Sequence, residues 1–143
     1  MIGEIRVRNR RLPWGVLILL IGSLATACTG AENSDDVVLV SMVQLLTNPD
    51  DYAGKAVEVT GYLQKNPTLQ LFLSKDHGAA RDIQSSVIVS DDTEDGSLTQ
   101  SGCLDQYVKV TGTFNRLEGV AWHIKRVQKI RKADTGHMCW KRE

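Results

Sequence analysis

No apolar run in these 143 residues is long enough to cross a bilayer. The run from Trp14 to Leu24 (WGVLILLIGSL) holds about 11 residues, where a spanning helix needs about 20. The short motifs of familiar catalytic sites are missing too: there is no HExxH, no Gly-rich phosphate loop and no GxSxG. Net charge is absent, with 17 basic residues against 17 acidic ones. Cysteine is scarce, and its count of three is odd, so at least one thiol has a role other than a disulfide within the chain.

The N-terminal segment accounts for several of these features. Arg6, Arg8, Arg10 and Arg11 give a basic start, offset only by Glu4. The short apolar run follows, and then small residues. This order reads as a signal peptide over residues 1–27, to be set apart from the fold. Leu24-Ala25-Thr26-Ala27-Cys28 resembles the bacterial lipobox, in which small residues precede an obligatory Cys. The resemblance implies a thioether-linked diacylglycerol on Cys28, cleavage before it, and membrane attachment through that lipid. Ala25 stands where a branched apolar residue is commoner. Thr29 is not the Asp that commonly holds lipoproteins in the inner membrane of diderm bacteria. The expected location is therefore the cell envelope, on the outer membrane facing the periplasm in a diderm host. An ordinary secretory signal with an incidental Cys28 and an uncleaved N-terminal anchor are the alternatives.

Removing residues 1–27 changes the charge. Thirteen basic residues (17 − 4) then face sixteen acidic ones (17 − 1), for a net −3. That weakens a nucleic-acid-binding reading, since such domains are usually basic. With Cys28 committed to lipid, Cys103 and Cys139 remain in an oxidising compartment and are expected to pair. The bond should contribute ~3–4 kcal/mol in the chain-entropy view. Two free thiols are the alternative.

Residues 28–36 form a small, polar, acidic tether with nothing to bury. Val37 to Tyr52 reads as helix in two pieces. Ser41 and Gln44 have capping-box spacing, and Met42, Val43, Leu45 and Leu46 make one apolar side. Asn48-Pro49 ends the first piece. Pro49 opens a second, which Gly54 terminates. The period then changes to two. Val57, Val59, Gly61 and Leu63 alternate with Glu58, Thr60, Tyr62 and Gln64, which predicts a strand with one buried face. Further strands are expected at 69–73, 87–89, 107–114 and from Val120 to about Ile130, the last with a bulge near Lys125-Arg126. Lys75 to Ser85 reads as a polar loop. Asp91 to Gly102 reads as an acidic connection with at most a helical turn near Ser97 to Ser101. Residues 131–143 read as a basic tail held by Cys139.

The strand Val57-Glu-Val-Thr-Gly61-Tyr-Leu63 is echoed by Val108-Lys-Val-Thr-Gly112-Thr-Phe114. Gly within a strand marks a bend or a close backbone approach, and small closed sheets need such corners. Five short strands, a break after the third and bent first and fourth strands resemble the OB-fold, a five-stranded Greek-key barrel. The stretch from Asn48 through Leu63 is similar to the opening of small secreted or lipid-anchored bacterial OB-like proteins. The expected architecture over 37–143 is thus mainly β: a small five-stranded OB-like Greek-key barrel with an N-terminal helix and a basic C-terminal tail. The acidic segment 91–102 stands where the usual helix between strands three and four would sit.

No set of side chains stands out as catalytic, and neither cofactor nor metal is expected. His77, His123 and His137 share no metal-ligand spacing. The acidic residues Asp91, Asp92, Glu94 and Asp95 lack a calcium-loop pattern. A hydrolase or nuclease built on His77, Arg81 and Asp82 finds no matching carboxylates on the strands. Binding suits the scaffold better. OB-folds contact ligands on the outer face of strands two and three, where Tyr62, Phe72 and Ile88 point outward and would form a stacking platform. The competing expectation is that the helix 41–46 covers them with Leu45 and Leu46. The second candidate is basic: His123, Lys125, Arg126, Lys129, Arg131, Lys132, Lys141 and Arg142, suited to anionic partners or serving as a charged edge. Trp122 shares a face with Ile124 and is expected in the core. The function read from the sequence is a lipid-anchored envelope binding module for an envelope protein or an anionic oligomer. A small envelope enzyme and a structural accessory subunit are the alternatives.

Overall fold

The structure is a computed structural model that describes residues 36–117 and 121–143. The segments read as signal peptide, as lipobox with Cys28 and as the tether before Asp36 lie outside these residues, as do residues 118–120.

The described chain is mainly β. Seven strands run in order: β1 (Val38–Val40), β2 (Ala56–Lys65), β3 (Leu69–Phe72), β4 (Ser86–Val89), β5 (Gln106–Leu117), β6 (Ala121–Lys132) and β7 (Met138–Lys141). Helix α1 (Met42–Thr47) follows β1, and α2 (Lys75–Ala80) lies between β3 and β4. Neighbours in the sheet run β1-β2-β3-β4-β6-β5, and β5 pairs back onto β2. Five strands therefore close a ring, with β1 added parallel to β2 and β7 added antiparallel to β6. The β4–β6 seam is parallel and rests on two paired positions, Ile88↔His123 and Val89↔Ile124.

The alternating residues fill the ring. Val57, Val59, Leu63, Leu71, Val87, Val89, Val108, Val110, Phe114, Ile124 and Ile130 are all buried. Their strand neighbours Glu58, Thr60, Lys109 and Lys125 face outward. The two echoed segments are direct partners: Val57 pairs with Gly112, Val59 with Val110 and Gly61 with Val108. They are thus related by a local two-fold centred on Val59 and Val110. At each end a glycine lets another strand approach. A Cβ on Gly61 would stand 2.7 Å from Leu71 Cγ and from the Phe72 carbonyl oxygen. One on Gly112 would stand 2.7 Å from Ile124 Cγ2 and 3.0 Å from the Lys125 carbonyl oxygen.

The bulge falls at Arg126, whose φ is +49°. Between Thr111 and Thr113 on β5, the facing strand passes from Lys129 to Lys125. Ser41 caps α1 through a complete capping box with Gln44, and α1 buries Met42 and Leu45. Pro49–Tyr52 forms a 3-10 turn, and Gly54 follows at φ +79°.

Three elements differ from the sequence expectation. The segment before Ser41 is not helix but the strand β1, so the first described element is a strand. The segment 75–85 contains α2, capped by the Ser74 side chain. The basic tail contains β7, which brings Cys139 to Cys103, with Cα atoms 5.7 Å apart in the Cys103–Cys139 disulfide. Trp140 donates from Nε1 to Ser97 Oγ at 3.0 Å. Arg142 pairs with Asp92 and donates from Nε to the Val127 carbonyl at 2.8 Å. These contacts fasten β7 to the acidic connection.

Candidate functional site

The expected stacking platform is not open. Tyr62 and Phe72 are directly paired, but they are only 7% and 3% exposed. The cover is not the helix with Leu45 and Leu46 but α2. Gly78 of α2 lies so near that a Cβ there would stand 3.3 Å from Tyr62 Cδ1 and 3.5 Å from Phe72 Cδ2. Tyr107 packs edge-on against Tyr62 with ring centroids 5.4 Å apart, and its hydroxyl accepts from the Lys75 backbone N–H at 3.1 Å. Arg81, at the left-handed C-cap of α2, lies 3.2 Å by Nε and Nη2 from the Asn66 side-chain oxygen when that amide faces the guanidinium. The helix is thereby held at both ends over the aromatic pair. Ile88 lies in the next row, half-buried between Gln70 and His123.

His77 and Asp82 lie close together at the end of α2, where the Asp82 N–H donates to the His77 carbonyl at 2.9 Å, but each side chain is engaged in a local bond. His77 bonds through Nδ1 to Ser74 Oγ, its own helix cap, at 2.7 Å. Asp82 accepts from Ser85 Oγ at 2.7 Å and from the Gln84 N–H. The Ser85 hydrogen bond, ahead of the opposing desolvation, holds the Asp82 carboxyl below its usual range. Among the described residues no three His, Cys, Asp or Glu side chains are grouped to hold a metal ion. His123 is 7% exposed, and its Nδ1 hydrogen-bonds Ser90 Oγ across the β4–β6 seam at 2.9 Å. Burial, and then the nearby Lys125 charge, push its pKa below the ordinary histidine value. Burial therefore favours the neutral imidazole, which is set into the seam beside Lys125 rather than exposed as a further cation.

The basic candidates divide. Arg142 is used by Asp92 and stacks over Trp140. Arg126 is exposed at the bulge. Lys125, Lys129 and Arg131 share one outward face of β6, because strand alternation resumes on the same side after the bulge. Their partners extend this face. Lys129 is opposite Lys141 on β7, and Arg131 is opposite Lys109 on β5. Lys109 escaped the sequence reading, although its alternation with Val108 and Val110 already placed it outward. Two like-charge pairs thus sit side by side in one sheet, an arrangement that repels. The carboxylate among them is Glu58. It accepts from Arg131 at 2.6 Å and from Thr111 Oγ1 at 3.1 Å. Burial raises its pKa, but those bonds and the Arg131 and Lys129 charges outweigh burial and hold it low. Arg131 Nε is left buried without an acceptor.

An open groove of about 270 Å³ adjoins this face, lined by Leu39, Val40, Ser41, Glu58, Thr60 and Lys109. Trp122 lies at the other end of β6, stacked on core Phe114 with centroids 5.0 Å apart and beneath the Arg116 guanidinium at 5.6 Å.

Comparison with family models, with curated proteins and with solved structures finds no match.

Proposed function

We propose that this protein is a lipid-anchored binding module of the bacterial cell envelope, built on an OB-like five-stranded ring and contacting an anionic partner through the outer face of β5, β6 and β7. The role is one of binding rather than catalysis. The observation that carries the reading is the contrast between two outer faces. The aromatic face on β2 and β3 is sealed by α2, while Lys109, Lys125, Lys129 and Lys141 remain solvent-accessible on one face around the Arg131–Glu58 ion pair, with Lys129 and Lys141 directly opposed. The OB-like part of the proposal is supported by the ring order β2-β3-β4-β6-β5, closed by β5 on β2, in which the third and fifth strands are parallel. The lipid anchor is supported by the basic start, short apolar run and Cys28 context of the sequence.

Two measurements test the parts separately. Intact-mass analysis of protein extracted from host membranes should find a diacylglyceryl group on an N-terminal Cys28, and Cys28→Ser should release the chain from the membrane fraction. An unmodified Cys28 would remove the anchor from the proposal. Binding of the purified chain to inorganic polyphosphate should weaken steeply as salt is raised, as charge-driven contacts do. It should also fall in K125Q/K129Q/K141Q. Binding indifferent to both changes would remove the cationic face from it.

A further inference from the structure

Resting on the lipid-anchored reading, we infer that the partner of the cationic face is the anionic headgroup layer of the same bilayer that holds the anchor. The sheet register aligns this face in rows. One runs Leu39, Glu58, Thr111, Lys129, Lys141 across β1, β2, β5, β6 and β7. The next runs Thr60, Lys109, Arg131, Met138, and a third runs Ala56, Thr113, Lys125. Five cations therefore share one sheet surface with a single carboxylate, Glu58. Successive rows lie about 7 Å apart and successive strands about 4.8 Å, so the charge is spread over an area rather than focused in a pocket.

Two further features favour a lipid surface over a soluble polyanion. The face carries apolar side chains at its margins: Leu39 is 76% exposed and Met138 43%. Both suit the boundary between headgroups and acyl chains, where apolar side chains bury beneath a cationic layer. The chain also enters the domain at this face. Cys28 is joined to β1 by Thr29 to Val37, nine residues that reach at most about 30 Å when extended. Strand β1 begins the Leu39 row itself. A domain tethered there meets headgroups before it meets anything free in solution. With the one carboxylate of these rows, Glu58, engaged by Arg131, apposed anionic headgroups supply the counter-charge for Lys109, Lys125, Lys129 and Lys141, and attraction to such a surface decays within about a Debye length, ~8 Å at physiological ionic strength.

The test is lysine footprinting on the full chain. The protein is reconstituted into vesicles of phosphatidylcholine alone or of phosphatidylcholine with phosphatidylglycerol, then briefly acetylated and read by mass spectrometry. In the anionic vesicles, acetylation of Lys109, Lys125, Lys129 and Lys141 should fall by on the order of fivefold and recover at high salt. Exposed Lys65 and Lys75, on β2 beyond the face and on α2, should react equally in both. Equal reactivity of the four face lysines in the two vesicle types overturns the inference. Protection by a single-stranded oligonucleotide and not by vesicles overturns it in favour of a nucleic-acid surface. Protection in anionic vesicles by a chain whose Cys28 carries no lipid supports the membrane-facing sheet and places the failure in the anchoring reading instead.

Discussion

At the scale of single residues, two glycines decide how the strands can meet. Gly61 and Gly112 occupy equivalent places in the echoed segments, and each admits a neighbouring strand where a side chain would collide. At Gly61 one of the colliding atoms is the Phe72 carbonyl oxygen, which cannot swing aside as a side chain can. Gly61→Ala should therefore destabilise the domain by about 1–3 kcal/mol, the usual cost of overpacking, read as a lower urea midpoint with unchanged slope. An unchanged midpoint would mean that β3 shifts freely. Repetition of V-x-V-T-G in the sequence marks both positions as a bend or a close backbone approach, and close approach is what the structure shows at each. It does not mark that they pair with one another's strands, because pairing depends on ring closure between segments 51 positions apart. Lys109 teaches a similar lesson. Its outward direction was legible from alternation, but its placement opposite Arg131 exists only in the assembled sheet.

At the scale of elements, alternation identified β2 to β6 and failed for β1, α2 and β7. Those elements are short, as β3 and β4 are, but they lack the closely spaced buried apolar residues, Leu69 and Leu71 or Val87 and Val89, that mark β3 and β4. Their states are set by partners: β1 by the β2 edge, α2 by the aromatic pair beneath it, β7 by β6 and the disulfide. The consequence for the site is large. With segment 75–85 as loop, Tyr62 and Phe72 would be open to form a platform; the helix α2 that forms there covers them. The disulfide has its own consequence for β7. Cys103 is fully buried, and Cys139 lies at the centre of β7. Replacing both by Ser should cost ~3–4 kcal/mol, from released loop entropy for a separation of 36 residues. It should also loosen the Trp140–Ser97 and Arg142–Asp92 contacts. Calorimetry of the double variant checks the first effect, and faster amide exchange in 138–142 checks the second. A melting temperature equal to that of the parent would show that β7 holds through its strand pairing alone.

For the molecule as a whole, the ring has one weak seam. β2 and β5 pair over eight positions, whereas β4 and β6 pair at two, helped by the Ser90 N–H donating to the Ile124 carbonyl at 2.8 Å. His123 sits in that seam and bonds Ser90 through its side chain. Its pKa is lowered in the fold, by burial first and by Lys125 second, so the unfolded chain binds the proton more readily. The stability it contributes is complete above the unfolded value near 6.5 and is lost as pH falls from there through the lower folded value. The melting temperature should thus decline as pH drops below about 6.5, and His123→Asn should flatten that part of the profile. A parent profile flat from pH 8 down to 5 would show that the seam tolerates the imidazolium.

What the sequence by itself determined is what depends on near neighbours in the chain. Alternation set the β-rich class and the inward residues, the Ser41–Gln44 spacing set the cap of α1, and the Arg126 region carried the phase slip of a bulge. What the tertiary structure decided is what depends on which surfaces are left uncovered. Burial of an outward aromatic is a property of the element that lands on it, here α2. Repulsion among lysines is a property of the strands that bring them together. For that reason, of the two faces the sequence offers, the aromatic pair of β2 and β3 is covered and the cationic sheet of β5, β6 and β7 is the one proposed to bind a partner.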